Sequence, residues 1–535
     1  MARGFFSLVL HAHLPYIRHP EHEEFMEERW LFEAITETYV PLLRVFQRLE
    51  KDSVPFAITM SITPPLMEML ESKDLQEKYI RHLEKLIKLS EKEIDRTKNE
   101  APQKHKMAQF YHDDFQETLH IFRDQYHGSI IRGFIHFQEK GNLEIITCNA
   151  THGFLPLMER YPQAVRAQIH VGKNTYRKHI GKDPVGMWLA ECGYTPGIDR
   201  YLAEESIRYF FVDSHGFWYA ENQPRYGVYR PMVTENGVMA FSRDPESSEQ
   251  VWSAETGYPG DYQYREFYRD VGFDRELDYI QDFIDKSGVR VNTGIKYHKV
   301  TGNQIDLGAK EYYDFYQALE VAKEHARDFA WKKHHQAEKL YDTFQGVQPI
   351  IVAPFDAELF GHWWFEGPFF IEHLFREMAK GMSVEAITPS RFVENHLTTL
   401  QINTPEASTW GANGYNEVWL NGSNDWIYPH LDEMIERMIE LANSFKHEQD
   451  PLKTRALNQA ARELLLAQSS DWAFIMTTGT TVEYASKRTK QHIERFMKIF
   501  RWLQWDEVDE GELQHFEWID SIFDDIDYKV YATES

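Results

Sequence analysis

The sequence predicts an α/β protein: a β/α barrel on a mostly parallel sheet, with one inserted helical domain and a helical C-terminal domain. Three observations lead there. Short apolar runs recur along the chain, each ending in polar residues; helical patterns separate several of them; and two long stretches carry helical periodicity with almost no strand-like segment.

The strand candidates, in order, are FFSLVLHAH (5–13), PFAITMSIT (55–63), LEIITCNATHG (143–153), VGMWLAECGY (185–194), YFFVDSHG (209–216) and PIIVAPFDAE (349–358). Residues 154–180 and 198–207 read as helices between strands, which implies βαβ units and parallel pairing. Residues 72–140 include LQEKYIRHLEKLIKLSEKEIDRTKNE, charge-rich and helical by period, and read as a helical lid or scaffold between two strands. From 428 onward amphipathic helices follow one another (429–447, 451–470, 479–503), with a strand expected only at 471–476. The acidic stretch 506–527 reads as a solvated end. The expected division is a discontinuous catalytic barrel (1–71 and 141–400), an insertion (72–140) and a C-terminal helical domain (401–535) that contributes to the cleft.

Composition narrows the partners. The 535 residues suit several domains or one large barrel with additions. A formal charge of −26, from 58 Lys+Arg against 84 Asp+Glu, argues against a nucleic-acid partner, because phosphate affinity is built from Lys and Arg contacts. Two cysteines, Cys148 and Cys192, are too few for a disulfide framework and fit a reducing compartment as small buried hydrophobes. The N-terminal apolar run ends at His11, too short for a signal peptide, and no segment has the length of a membrane span, so a soluble cytoplasmic protein without a membrane partner is expected.

In a β/α barrel the C-terminal strand ends carry the chemistry, and His11, His13, His152, Glu191, Asp213 and Asp356 all fall there. Glu191 ends the run MWLA and Asp356 the run VAPF. Either acid alone reads as a loop cap or an arginine partner; two such acids flanked by aromatics fit a glycosidase pair. Asp356 lies in a stretch, PFDAELFGHWWFEG (354–367), that sets it and Glu358 inside an aromatic wall of His362, Trp363 and Trp364 suited to sugar rings.

His11 and His13 share one face of a strand. That HxH fits sugar-hydroxyl binding, a metal site or satisfied structural histidines; the metal reading would recruit from His152, Asp213, His215, Asp356 and His362 and make a metal-dependent hydrolase. In TWGANGYNEVWLNGSNDW (409–426) glycine and asparagine put Trp410, Trp419 and Trp426 on loops, as anchors or as ligand platforms. No GxGxxG, Walker, CxxC or GxSxG pattern occurs, and no cofactor is expected.

Five motifs in order resemble the family 57 glycoside hydrolases, most closely their 1,4-α-glucan branching enzymes: HAHLPY (11–16), CNATHGF (148–154), MWLAECGY (187–194), PFDAELFGHWWFEG (354–367) and the loop 410–419. The resemblance covers nearly the whole chain. It implies an incomplete (β/α)7 barrel, Glu191 as nucleophile, Asp356 as general acid/base, and His11, His13 and His152 lining the adjoining sugar subsite. It further implies glucan contacts from Trp30, Arg265 in YREFYRD, Trp410, Trp419 and Asp471 in SSDWAF, although Arg265 also reads as a structural ion pair. No metal and no cofactor are implied. The implied partner is an α-1,4-glucan, amylose or a glycogen-like polymer, and the implied reaction is branching in glycogen biosynthesis, with hydrolysis by an amylase as the alternative. Branching members of the family are thought to carry a tyrosine on a mobile loop between the third and fourth motifs. The matching segment, VTENGVMAFSRDPESSEQ (233–250), has Phe241 but no Tyr, with Tyr226 and Tyr229 just upstream, so a larger share of hydrolysis is expected.

Overall fold

The computed structural model describes residues 2–253, 256–302 and 304–533. Its strands are β1 (Gly4–Ala12), β2 (Ile58–Ile62), β3 (Leu143–Cys148), β4 (Met187–Trp188), β5 (Tyr209–Val212), β6 (Met232–Val233), β7 (Met239–Ser242), β8 (Ile350–Asp356), β9 (Val384–Ala386) and β10 (Gln401–Ile402). One sheet runs β4-β3-β2-β1-β8, with β9 also paired to β1, and every pair in it is parallel. A second runs β10-β6-β7-β5, with β5 and β7 parallel.

The two sheets meet at both margins. A parallel bridge joins Gly186 to Tyr209 beyond β4, and the Asp244 N–H donates to the Val352 carbonyl at 2.8 Å beyond β7. Seven strands (β1, β2, β3, β4, β5, β7 and β8) thus surround one interior with weakly bonded seams, the incomplete barrel that was expected. All six apolar runs are strands. Because strand side chains alternate, Val9, Ile146, Trp188, Phe211, Met239 and Val352 fill the interior, while Phe6, Leu8, Leu10 and Phe355 face the surrounding helices. Cys148 and Cys192 lie unpaired in the interior, as small hydrophobes.

Helices Lys73–Thr97 and Pro102–Leu119 pack on one another in the inserted stretch. The C-terminal region is built from Tyr428–Ser444, Pro451–Ala467, Ser470–Thr478, Val482–Trp505 and Glu510–Ile519. Two expectations are corrected here. Residues 471–476 are helix rather than strand, because Trp472, Ile475 and Met476 recur at helical spacing and are buried. The acidic stretch 506–527 is not a free end: Leu513, Phe516 and Ile519 form a buried stripe, and Asp520 is buried against Arg488 and Arg495.

The segment 233–250 is also corrected. It is no loop over the site; β6 and β7 form an antiparallel hairpin, and Phe241 is 1% exposed in the barrel interior beside Tyr209 and Phe211. Tyr229 offers its carbonyl to the Ile350 N–H at the start of β8, and Tyr226 packs on Phe344, so both lie at the opposite end of the barrel from Asp356. Among the described residues no helix is long and apolar enough to cross a membrane.

Candidate active site

The alternation that fills the interior also aims the site. On β1 the inward parity of Val9 continues to His11, and on β8 that of Val352 continues to Asp356; the pairing register sets these two residues opposite each other. Past β5 and β7 the same parity brings Asp213 and Arg243 together, as an ion pair at 2.8 Å. Polar groups begin where the apolar filling stops.

Glu191 stands three residues past β4, in the left-handed region at φ 62° and ψ 24°, and Cys192 follows at φ 50°. Non-glycine residues adopt that conformation at a cost of roughly 1–2 kcal/mol, so the surroundings must hold it. They do: the Trp410 N–H donates to the Glu191 carbonyl at 3.0 Å, and the Trp410 Nε1–H donates to Glu191 Oε2 at 2.7 Å. Trp410 is half-buried, set edge-on to Trp188 at 4.8 Å. Burial pushes the Glu191 carboxyl up to about 7, with Asp471 and Asp356 adding to the shift and the Trp410 hydrogen bond opposing it.

The Asp356 carboxylate accepts no hydrogen bond from another described side chain, and burial raises it to about 6 against the pull of His13 and Arg243. Two residues on, Glu358 accepts from the Tyr39 hydroxyl and from the His13 backbone N–H at 3.2 Å. Burial raises Glu358 to about 7, the Tyr39 bond opposing and the Asp356 charge adding. Three carboxyls therefore sit together with raised pKa values, a pattern that marks proton-transfer sites. The sequence gives Glu358 no role beyond a carboxylate inside the aromatic wall, because nothing in the local spacing distinguishes it from a surface acid.

The histidines form a layered stack. The His13 ring lies 3.8 Å from that of His152, and His11 lies beneath, on Trp188 at 4.8 Å. His13 is the most accessible of the three; His11 and His152 are each 2% exposed. Its Nε2 bonds both Asp471 oxygens at 3.0 Å and its Nδ1 meets Thr63. Burial would lower the His13 pKa, but Asp471 outweighs it and raises it; burial likewise opposes, and His13 overcomes, the drop of Asp471 to about 2. His11 and His152 are held well below their usual range by burial and by their neighbouring histidines. Their Nε2 atoms share a hydrogen bond of 2.9 Å, and His152 Nδ1 reaches Ser470 Oγ at 2.8 Å, which in turn lies 3.5 Å from Glu191 Oε1. Ser470 was missed because only the fold brings it to Glu191. His13, His152 and Asp471 also offer ligand atoms within 4.8 Å of one another, but each of those side chains is engaged in the bonds just described.

Other predicted contacts lie elsewhere. Trp419 is 1% exposed and stacked on Phe154 at 4.5 Å, an anchor under the 409–426 loop rather than a platform. Arg265 is buried in an ion pair with Glu37 at 2.7 Å, with its guanidinium over Phe365. Trp30 is partly buried edge-on to Tyr484. Within 354–367, Trp364 is buried and Trp363 is 54% exposed, stacked on Phe267.

A parallel barrel whose C-terminal strand ends hold raised carboxyls, a ring-bonded Glu191 and a histidine stack defines an enzyme of the glycoside hydrolase type. The chain belongs to glycosyl hydrolase family 57: residues 7–327 match that family, and residues 430–531 match the C-terminal domain of 1,4-alpha-glucan branching enzymes. A 1,4-alpha-glucan branching enzyme of Thermococcus kodakarensis is 34% identical over the whole chain and 79% of its own length. The crystal structure of a GH57-type branching enzyme from Pyrococcus horikoshii is 33% identical, with a TM-score of 0.89, covering 100% of this chain and 97% of that one. The crystal structure of a novel alpha-amylase from Thermotoga maritima is 57% identical, with a TM-score of 0.94 and full coverage of both chains.

Proposed function

We propose that this chain is a retaining 1,4-α-glucan branching enzyme, which cleaves an α-1,4 link and passes the released chain to a 6-hydroxyl through a covalent glucosyl-enzyme. The observation that carries the reading is the placement of Glu191 and Asp356 at one end of the barrel, close enough for the Asp356 charge to act on Glu191. Glu191 attacks C1 of the glucosyl unit while Asp356 gives its proton to the departing oxygen; Asp356, now a carboxylate, takes the proton of the acceptor hydroxyl in the second step. Trp410 holds the attacking carboxylate, and His13, paired with Asp471, stands beside it. We assign the acid side of the cleft to a barrel of 1–71 and 141–400, and Trp410, Ser470 and Asp471 to the helical region 401–535. The two unpaired cysteines support a cytoplasmic setting, in the building of a glycogen-like polymer.

Hydrolysis is the competing outcome, and one observation favours a share of it: the full-length likeness to a protein described as an alpha-amylase. Incubation with amylose, followed by proton NMR for α-1,6 signals and a reducing-end assay, tests both. New branches support the proposal, reducing ends alone make the chain a hydrolase, and unchanged turnover in Glu191→Gln and Asp356→Asn removes the glycosidase reading. A rate lost in EDTA would favour a metal-dependent hydrolase at His11 and His13 instead.

A further inference from the structure

A cavity of about 190 Å³ lies between the barrel and the inserted helices, and neither Glu191 nor Asp356 lines it. It has room for several waters, and so for one small ring. Phe110, Phe315 and Phe365 form a clustered aromatic wall, with Phe110 and Phe315 centred 4.3 Å apart. Its guanidinium groups are already matched: Arg44 with Asp114 at 2.5 Å, Arg265 with Glu37 at 2.7 Å, Arg48 with Glu372 at 2.7 Å. An anionic ligand would find no unpaired arginine.

Among the polar groups that line it, the Glu33 carboxyl accepts no hydrogen bond from another described residue, its nearest cation being His362 at 4.0 Å. Burial raises Glu33 to about 7, with Glu37 adding and His362 opposing, which lets it donate as well as accept near neutral pH. A neutral ring with one apolar face and several hydroxyls matches this combination of aromatic wall and carboxyl.

The wall between this cavity and the catalytic side is a π-helical turn, Ile35–Tyr39. Glu37 faces the cavity, bonded to Arg265 and to His362 Nδ1 at 2.6 Å, whereas Tyr39 donates to Glu358 on the other side. Gly361, at φ +122°, backs the turn so closely that a Cβ there would lie 1.8 Å from the Glu37 carbonyl. π-Turns of this kind recur at functional sites.

We propose that this cavity is a second, non-catalytic binding site for a single neutral pyranose, the terminal glucosyl unit of an α-glucan. The glucosyl identity rests on the reading given above. The test is calorimetric titration of maltotriose into Asp356→Asn enzyme, alone and combined with Glu33→Gln or with Asn292→Trp, which would fill the cavity; thermal melts report folding. The expected result is two classes of site, one of which weakens roughly tenfold with Glu33→Gln and disappears with Asn292→Trp, while the other is unchanged. Should Asn292→Trp misfold, Glu33→Gln decides. A single class of site, or isotherms unaltered by the cavity substitutions, overturns the proposal. Amylose turnover by wild-type enzyme separates the two readings: turnover with one class of site sinks the cavity alone, and two classes without turnover sink the catalytic reading alone.

Discussion

The Trp410 indole N–H donates to Glu191 Oε2 at 2.7 Å while its backbone N–H donates to the Glu191 carbonyl at 3.0 Å, so one residue holds both the backbone and the carboxyl of the proposed nucleophile. Trp410→Phe keeps the ring contact with Trp188 and removes only the side-chain bond. A hydrogen bond to a charged group contributes about 1.5–3 kcal/mol, so kcat should fall roughly 10–100-fold. Because that bond lowers the Glu191 pKa, its loss raises it, and since Glu191 is the higher of the two coupled acids the basic limb of kcat/KM should move to higher pH; an unmoved basic limb would refute the assignment.

Asp356→Asn removes a charge that raises Glu191, so the Glu191 pKa should drop below about 7. Turnover of amylose should fall by about 10²–10⁴. An α-glucosyl fluoride, whose leaving group needs no proton, should still label Glu191, with its pH dependence displaced to lower pH. Glu191→Gln should abolish both reactions. In the wild type the two acids titrate as a coupled pair, giving a bell with its apparent limbs near pH 6–7.

The pair of His13 and Asp471 makes stability depend on pH in a set direction. Asp471 is depressed to about 2, so its contribution is complete above its unfolded value near 4 and lost as pH falls toward 2. His13 is raised, so its share is complete below its unfolded value near 6.5 and lost as pH climbs through its folded value. Asp471→Asn should therefore cost about 2–3 kcal/mol near pH 5 and progressively less toward pH 2. Urea melts at pH 3 and pH 5 measure the difference; an equal loss at both would contradict the ion pair.

Phe241→Ala should behave as a core truncation. A cavity left in the barrel interior costs about 3–5 kcal/mol, whereas the ratio of branches to new reducing ends should stay as in the wild type. A shifted ratio at unchanged stability would return Phe241 to the acceptor side.

The strands and their chemical ends were legible because parallel barrel strands leave a simple trace: a short apolar run followed by polar residues of the same parity. Glu191, Asp356, His13 and Asp471 were found by that trace or by the likeness of their motifs, and the structure brings them together. Glu358 and Tyr39 were not singled out, since an acid two residues past a strand looks the same whether or not a tyrosine 319 positions away donates to it. The hairpin of β6 and β7 was missed because strands of two and four residues leave too little periodicity to read.

Sequence by itself thus determined the order of the strands, the end at which polar groups collect and the two acids most suited to the chemistry, because alternation along a strand is a local property. Tertiary structure decided the rest. It buried Trp419 and Arg265, turned Phe241 inward and carried Ser470 across 279 positions to Glu191. Depth and partnership depend on which distant segments pack together, and a residue's own neighbours in the chain carry no record of that.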